Sequence, residues 1–347
     1  MTAKPAAISN IFTQWFTKWF KGDLIAYLIK RLGQALIVIF LVSLLSFLML
    51  KLSPGDCLAD IKLNPSISKE FLAAERIRLG YDQPVIIQYW NWLSSALQGN
   101  LGRSCQGNTA IAQLITERAG NTLLLSIISL ITTWAVAIPL GIFCAVRQNT
   151  WSDRLLQILS YALQGFPSFI LAIILLMWAQ NTAWFPVGGL TSIDHSELSW
   201  YSKILDVAHH LILPTFTLTL IGFGGLQRLM RGNLLDVLRL DYIKTARAKG
   251  LSENRVIYVH ALRNAINPLV TLLGFELAGL LGGAFITEFF FGLPGLGRLL
   301  LDAVRQKDVN LVMAGLSLGT LMLVVGNILA DLLLKAVDPR IRLDDAD

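Results

Sequence analysis

Few residues in this 347-residue chain have the type and spacing that catalysis demands. His195, His209, His210 and His260 are scattered and form no HExxH, the spacing that sets two imidazoles on one helical face around a metal. Cys57, Cys105 and Cys144 contain no CxxC and no Cys/His cluster, so no metal site and no disulfide framework is written in them. Neither the phosphate-cradling GxxxxGKS/T nor GxSxG nor DxDxDG occurs, so no catalytic residue is assigned and no cofactor is expected to bind the chain. What stands out is chemistry of docking. Residues 236–268, DVLRLDYIKTARAKGLSENRVIYVHALRNAINP, set Arg239, Lys244, Arg247, Lys249, Arg255 and Arg263 against Asp236, Asp241 and Glu253. Such a stretch must lie in water, and Tyr242, Ile243, Ala246 and Leu251 give it an apolar edge at helical spacing that suits a partner's groove. One further carboxylate, Glu276, stands inside an apolar run, where a charge is costly and faces protein or a water-filled cavity. It reads either as a pathway residue for a cationic group or as a buried structural hydrogen bond.

Apolar residues make up 54% of the chain and charged residues 15%, against about a quarter charged in soluble domains. The chain reads as an all-α polytopic membrane protein. Residues 32–50 carry no charge between Arg31 and Lys51 and are long enough to cross about 30 Å of hydrocarbon. Further spans are expected at about 121–146, 157–180, 208–226, 266–287 and 311–334, giving six. Ahead of them, residues 1–31 open with Ile8, Ile11, Phe12, Trp15, Phe16, Trp19 and Phe20 on one helical face, which suits an interfacial helix resting on membrane lipid or packing on the bundle. Residues 51–120 form a soluble insertion in which SISKEFLAAERIRLG reads as a helix ending near Gly80 and PVIIQYWNWLSSALQ as a second, Trp-rich one. Asp331 and Lys335 form an i, i+4 pair near the end of the last span.

Charge fixes the orientation. The loop 227–265 holds eight basic residues against three acidic, and the segment before the first span is basic as well, so both belong in the cytoplasm. The +6 formal charge is therefore topological and calls for no nucleic acid. Six spans then place both termini, including the tail 335–347, inside, and the 51–120 insertion and the 288–310 segment outside. An oxidising exterior permits Cys57 and Cys105 to bond; the alternative is two independent thiols.

YIKTARAKGLS followed by HALRNAINP resembles the cytoplasmic "EAA" loop of permease subunits of binding-protein-dependent ABC importers, in the form of the dipeptide, oligopeptide and nickel group. SPGD after the first span, LGYDQPVIIQYWNWLSSALQGNLGRS in the insertion, GFPSF, ILP, EFFFGLPGLGRLLLDAVRQKD and the final DPRIR carry the same resemblance in the family's order. The chain departs from it at Lys244, six residues before Gly250, where the general family has glutamate.

The resemblance implies a type I importer permease in the bacterial inner membrane. A second homologous permease subunit would complete the pathway, two cytoplasmic ATPases would use ATP and Mg, and an external binding protein would deliver substrate. It assigns Tyr242, Thr245, Ala246, Ala248 and Leu251 to contact with the ATPase, Arg247 and Lys249 to pairing with its acidic groups, and Gly250 to ending one helix so that the next leaves at an angle. Short peptides are the default cargo, with nickel, glutathione-like or sugar ligands as alternatives on the same machinery. A channel or secondary transporter without an ATPase and an intramembrane enzyme are the competing classes.

Overall fold

The computed structural model describes residues 23–62, 68–105, 109–280, 282 and 284–337. The expected interfacial face of residues 1–22 and the tail 338–347 lie outside them. Helix α1 (Asp23–Leu52) is followed by α2 (Lys69–Arg78) and α3 (Val85–Leu97) of the insertion, then by α4 (Ile111–Val146), α5 (Trp151–Gly165) and α6 (Ser168–Thr182). Next come α7 (Trp200–Leu238), α8 (Asp241–Ala248), α9 (Glu253–Ala265), α10 (Asn267–Ala278), α11 (Phe285–Phe290), α12 (Leu296–Arg305) and α13 (Val309–Val337). Among the described residues, α1, α4, α7 and α13 are each long and apolar enough to cross a membrane; counting the pairs α5/α6 and α9/α10 as one bent span each gives six.

Two apolar runs that read as single helices are broken. The 157–180 run divides between α5 and α6, which meet at 100°. Pro167 has no N–H to donate and pushes Phe166 out of the helical region, to φ −87 and ψ 124. The 266–287 run is helical to Ala278 and again from Phe285, and its start is bent by 47° from α9 where Pro268 sits in the first turn of α10. Conversely, residues 23–31, expected with the interfacial segment, are the opening turns of α1, and 111–120, expected in the insertion, open α4.

Helix packing explains where small residues fall. Gly274 of α10 lies against Ala330 of α13, and Gly326 of α13 lies against the backbone of Ala278, so that a Cβ at either glycine has no room. Asp331 of α13 is held by Arg31 of α1 at 2.9 Å and by the Tyr27 hydroxyl, a link between the two helices; the Lys335 side chain lies outside the described residues.

In the insertion, the Ser68 hydroxyl caps α2 by accepting from the Phe71 N–H at 3.1 Å. Helix α3 lies along α1, where Tyr89 is buried against Phe47 and shares a 2.9 Å hydrogen bond with Ser43. A disulfide joins Cys57 to Cys105, with Leu58, Leu79 and Tyr81 around it. Burial, with Asp308 and Asp56 nearby, pushes the Tyr81 hydroxyl up to about 12. Asp308, 2% exposed, accepts from the Ser104 hydroxyl at 2.6 Å, the Cys105 N–H at 2.8 Å and the Leu311 N–H at 3.1 Å. It thereby caps α13 and fastens the end of the insertion to it. Alkylation of denatured, unreduced protein is expected to label Cys144 alone, and all three cysteines after reduction. Three labels without reductant would remove the bridge.

Candidate functional site

The eight-residue helix α8 opens with Asp241, whose carboxylate suits a helix N-terminus. It ends in a Schellman motif: the Gly250 N–H reaches the Arg247 carbonyl at 2.9 Å and the Leu251 N–H reaches the Ala246 carbonyl at 3.4 Å. Gly250 has φ +76, a conformation that costs other residues about 1–2 kcal/mol. A Cβ there would meet nothing within 4 Å, so the glycine answers a backbone requirement and not a packing one. Gly250→Ala is accordingly expected to cost about 1 kcal/mol. The substituted complex should still assemble and melt only a few degrees lower; loss of assembly would point to a contact at that position instead.

The apolar edge read from the sequence is turned inward. Ile243 is fully buried and Ala246 is 8% exposed, both within a core built from Ala137, Ile142 and Ala145 of α4, Phe223, Leu226, Met230 and Leu234 of α7, Val256, Ile257, Ala261 and Ala265 of α9, and Leu269 of α10. Leu251 packs against the same core, as the apolar residue after a Schellman glycine commonly does. Ala246 and Leu251, expected to touch a partner, pack on their own chain's core, Ala246 buried and Leu251 partly so. Helical geometry leaves Asp241, Lys244, Thr245 and Ala248 on the opposite, exposed face, with Tyr242, Arg247 and Lys249 on its flanks.

Hydrogen bonds stiffen this platform. The Asn264 amide of α9 donates to the Tyr242 hydroxyl at 2.7 Å, and Thr245 Oγ1 donates to the Asp241 carbonyl at 2.9 Å. Arg247, expected to seek an acid on a partner, pairs with Glu253 of its own chain at 2.8 Å, bridging the Gly250 turn. Lys244 pairs with Asp241 at 2.8 Å, both well exposed, so this pair contributes little. A force on the outer face would pass through Ile243 and Ala246 into α4, α7 and α9, and α9 continues through a 47° bend into α10.

Glu276 lies on α10, half-buried, and accepts from the Trp134 indole N–H of α4 at 2.6 Å. The structure thus places it apart from α8, in a bond between two helices. A carboxylate that sequence reasoning did not single out is held more tightly. Glu288 of α11, 1% exposed, accepts from the Thr122 hydroxyl of α4 at 2.6 Å and from the N–H groups of Gly297 and Arg298 at 2.9 and 3.2 Å. It satisfies the first turn of α12 from outside that helix. The available signal was GLPGLG, four to nine residues downstream at a helix start: a Cβ on Gly297 would stand 3.0 Å from the Glu288 carboxylate.

The described residues thus form a helical bundle with helices of membrane-crossing length and a short helix, exposed on one face, packed on its core. The chain belongs to the binding-protein-dependent transport system inner membrane components: that family's model matches residues 137–343, and the model of its N-terminal region matches 24–126. It is 37% identical to the oligopeptide transport system permease protein AppB of Bacillus subtilis over 91% of this chain and 99% of that one. It is also 37% identical to the glutathione transport system permease protein GsiC of Escherichia coli O6:H1, over 91% and 98%. In fold it resembles a chain of the inward-facing MetNI methionine ABC transporter (TM-score 0.50, 16% identity), over 65% of this chain and 97% of that chain. The protein is thus a permease component of a binding-protein-dependent importer.

Proposed function

We propose that this chain forms half of the translocation pathway of an ATP-driven importer of short peptides, with α8 as the element that receives the ATPase stroke. The observation that carries the reading is the two-faced character of α8: one face is locked into the core by Ile243 and Ala246, and the other, Asp241, Lys244, Thr245 and Ala248, stands free. A cytoplasmic ATPase that grips the free face moves α4, α7, α9 and α10 with it, alternating access across the membrane. Lys249 and the flank of Tyr242 border that contact. Relatives named for oligopeptide and glutathione transport support a peptide cargo. A second homologous permease completes the path, an external binding protein supplies the cargo, and both termini lie in the cytoplasm. Glu276 is the candidate along the path for a peptide's amino group.

The test is reconstitution. The tagged chain should co-purify with two ATPase subunits and a second permease, and peptide uptake into proteoliposomes should require ATP, Mg and the binding protein. Uptake that proceeds without the ATPase pair would refute the reading.

A further inference from the structure

Two cavities beside the insertion meet at shared walls. The first, about 330 Å³, lies over the end of α1 and is lined by Lys51 and Arg78 together with the amides of Gln83, Gln88, Asn91 and Asn100, and no acidic side chain faces it. The Lys51 ammonium rests against the rings of Tyr81 and Phe47, 4.3 and 5.7 Å from their centroids, and forms no ion pair among the described residues. Arg78 is paired with Glu75, so Lys51 is the principal cation. The second cavity, about 500 Å³, is almost wholly apolar and runs between α1, α3 and α13, with Leu36, Phe40, Leu93, Ala96, Leu318 and Leu321 among its walls. Trp92 and Leu101 line both. At this junction the Trp92 indole N–H is buried and has no acceptor among the described residues.

We infer that this pair of cavities is a binding site for one anionic phospholipid of the leaflet next to the insertion, its phosphodiester seated at Lys51 and an acyl chain lying in the α1/α3/α13 groove. The chemistry of the two walls is that of such a molecule: a cationic, amide-rich chamber opens onto an apolar trench on helices of membrane-crossing length. Side-chain amides donate N–H bonds to phosphate oxygens, and an ammonium near a bilayer surface attracts anionic headgroups. A zwitterionic lipid fills the trench equally well but brings its own cation to the chamber. Free phosphate satisfies Lys51 and leaves the trench empty.

The site predicts selective retention. The complete transporter, exchanged into nanodiscs containing phosphatidylglycerol and phosphatidylcholine in equal amounts and then released for native mass spectrometry, should carry one phosphatidylglycerol in preference to phosphatidylcholine. Lys51→Gln should reduce that retention about fivefold, the loss of one cation near a membrane surface. Ala96→Trp, which fills the trench and leaves the chamber cations in place, should lower retention of both lipids. Equal retention of the two lipids by the unmodified complex would overturn the inference, as would unchanged phosphatidylglycerol retention in Lys51→Gln. Inorganic phosphate that displaces the lipid at millimolar concentration would also overturn it, because the acyl trench would then contribute nothing. If Lys51→Gln weakens capture of the binding protein while lipid retention stays intact, the chamber serves protein docking and the assignment is wrong.

Discussion

Ala248→Trp is expected to bring ATP-driven uptake down to background without disturbing membrane insertion or melting of the permease. Ala248 sits on the exposed face of α8, away from Ile243 and Ala246, so the new ring meets no part of its own chain's core. Any partner that fits that face closely meets the ring instead. A central contact position typically carries 2 kcal/mol or more, so association with the ATPase should weaken about thirtyfold. Ile243→Ala supplies the contrast. It opens a cavity in the core beneath α8 at a cost of about 2–4 kcal/mol, so it should lower the melting temperature while leaving the outer face chemically unchanged. Co-purification of the ATPase and the thermal transition of the solubilised complex separate the two outcomes. Undiminished ATPase binding and uptake in Ala248→Trp would remove α8 from the coupling route.

The other large effect is expected at Glu288. Glu288→Leu leaves the N–H groups of Gly297 and Arg298 without their acceptor and the Thr122 hydroxyl with only a long 3.4 Å bond to the Arg118 carbonyl. Each buried orphan costs about 1–3 kcal/mol, and the total should be on the order of 3–5 kcal/mol because water enters to satisfy part of the deficit. Helix α12 should lose its fixed first turn and its seat against α4, where the Thr122 hydroxyl also accepts the Leu296 N–H at 2.8 Å. Proteolysis between residues 290 and 300 reads this directly, and Glu288→Gln, which keeps one carbonyl acceptor, should restore part of the protection. Equal cleavage of the parent and Glu288→Leu would show that the carboxylate is not what holds the turn.

The long helices and the insertion's two helices were legible in the sequence because each carries its own signal. Uncharged runs of membrane length and a stop at Gly80 are local facts. The location of α8 was legible for the same reason, in its glycine and its basic flanks. What escaped was decided by neighbours distant in the chain. Tyr242, Ile243, Ala246 and Leu251 formed an apolar edge on paper, but periodicity says only that a face is apolar, not whether the surface it meets belongs to the same chain. Arg247 found Glu253 and Asp331 found Arg31, one pairing across a turn and the other across 300 residues. Apart from the glycines that follow it, Glu288 gave no hint of burial, since its ligands are backbone groups nine and ten residues on and a hydroxyl on another helix. The sharp break at Pro167 lay in plain view, but a proline inside a membrane helix is commonly tolerated as a kink, and residue type alone does not give 100°.

The position of Asp308 also sets an order of events in synthesis. Ser104 and the Cys105 N–H are translated some 200 residues before the carboxylate that receives them. The insertion leaves the membrane early, yet its last turn has no native acceptor until α13 begins to emerge. At about 5–20 residues per second, this interval lasts on the order of ten to forty seconds. The insertion, made soon after the first span, is therefore among the last parts to close, and a nascent chain interrupted before Asp308 presents an unfinished surface to the proteases and chaperones on that side.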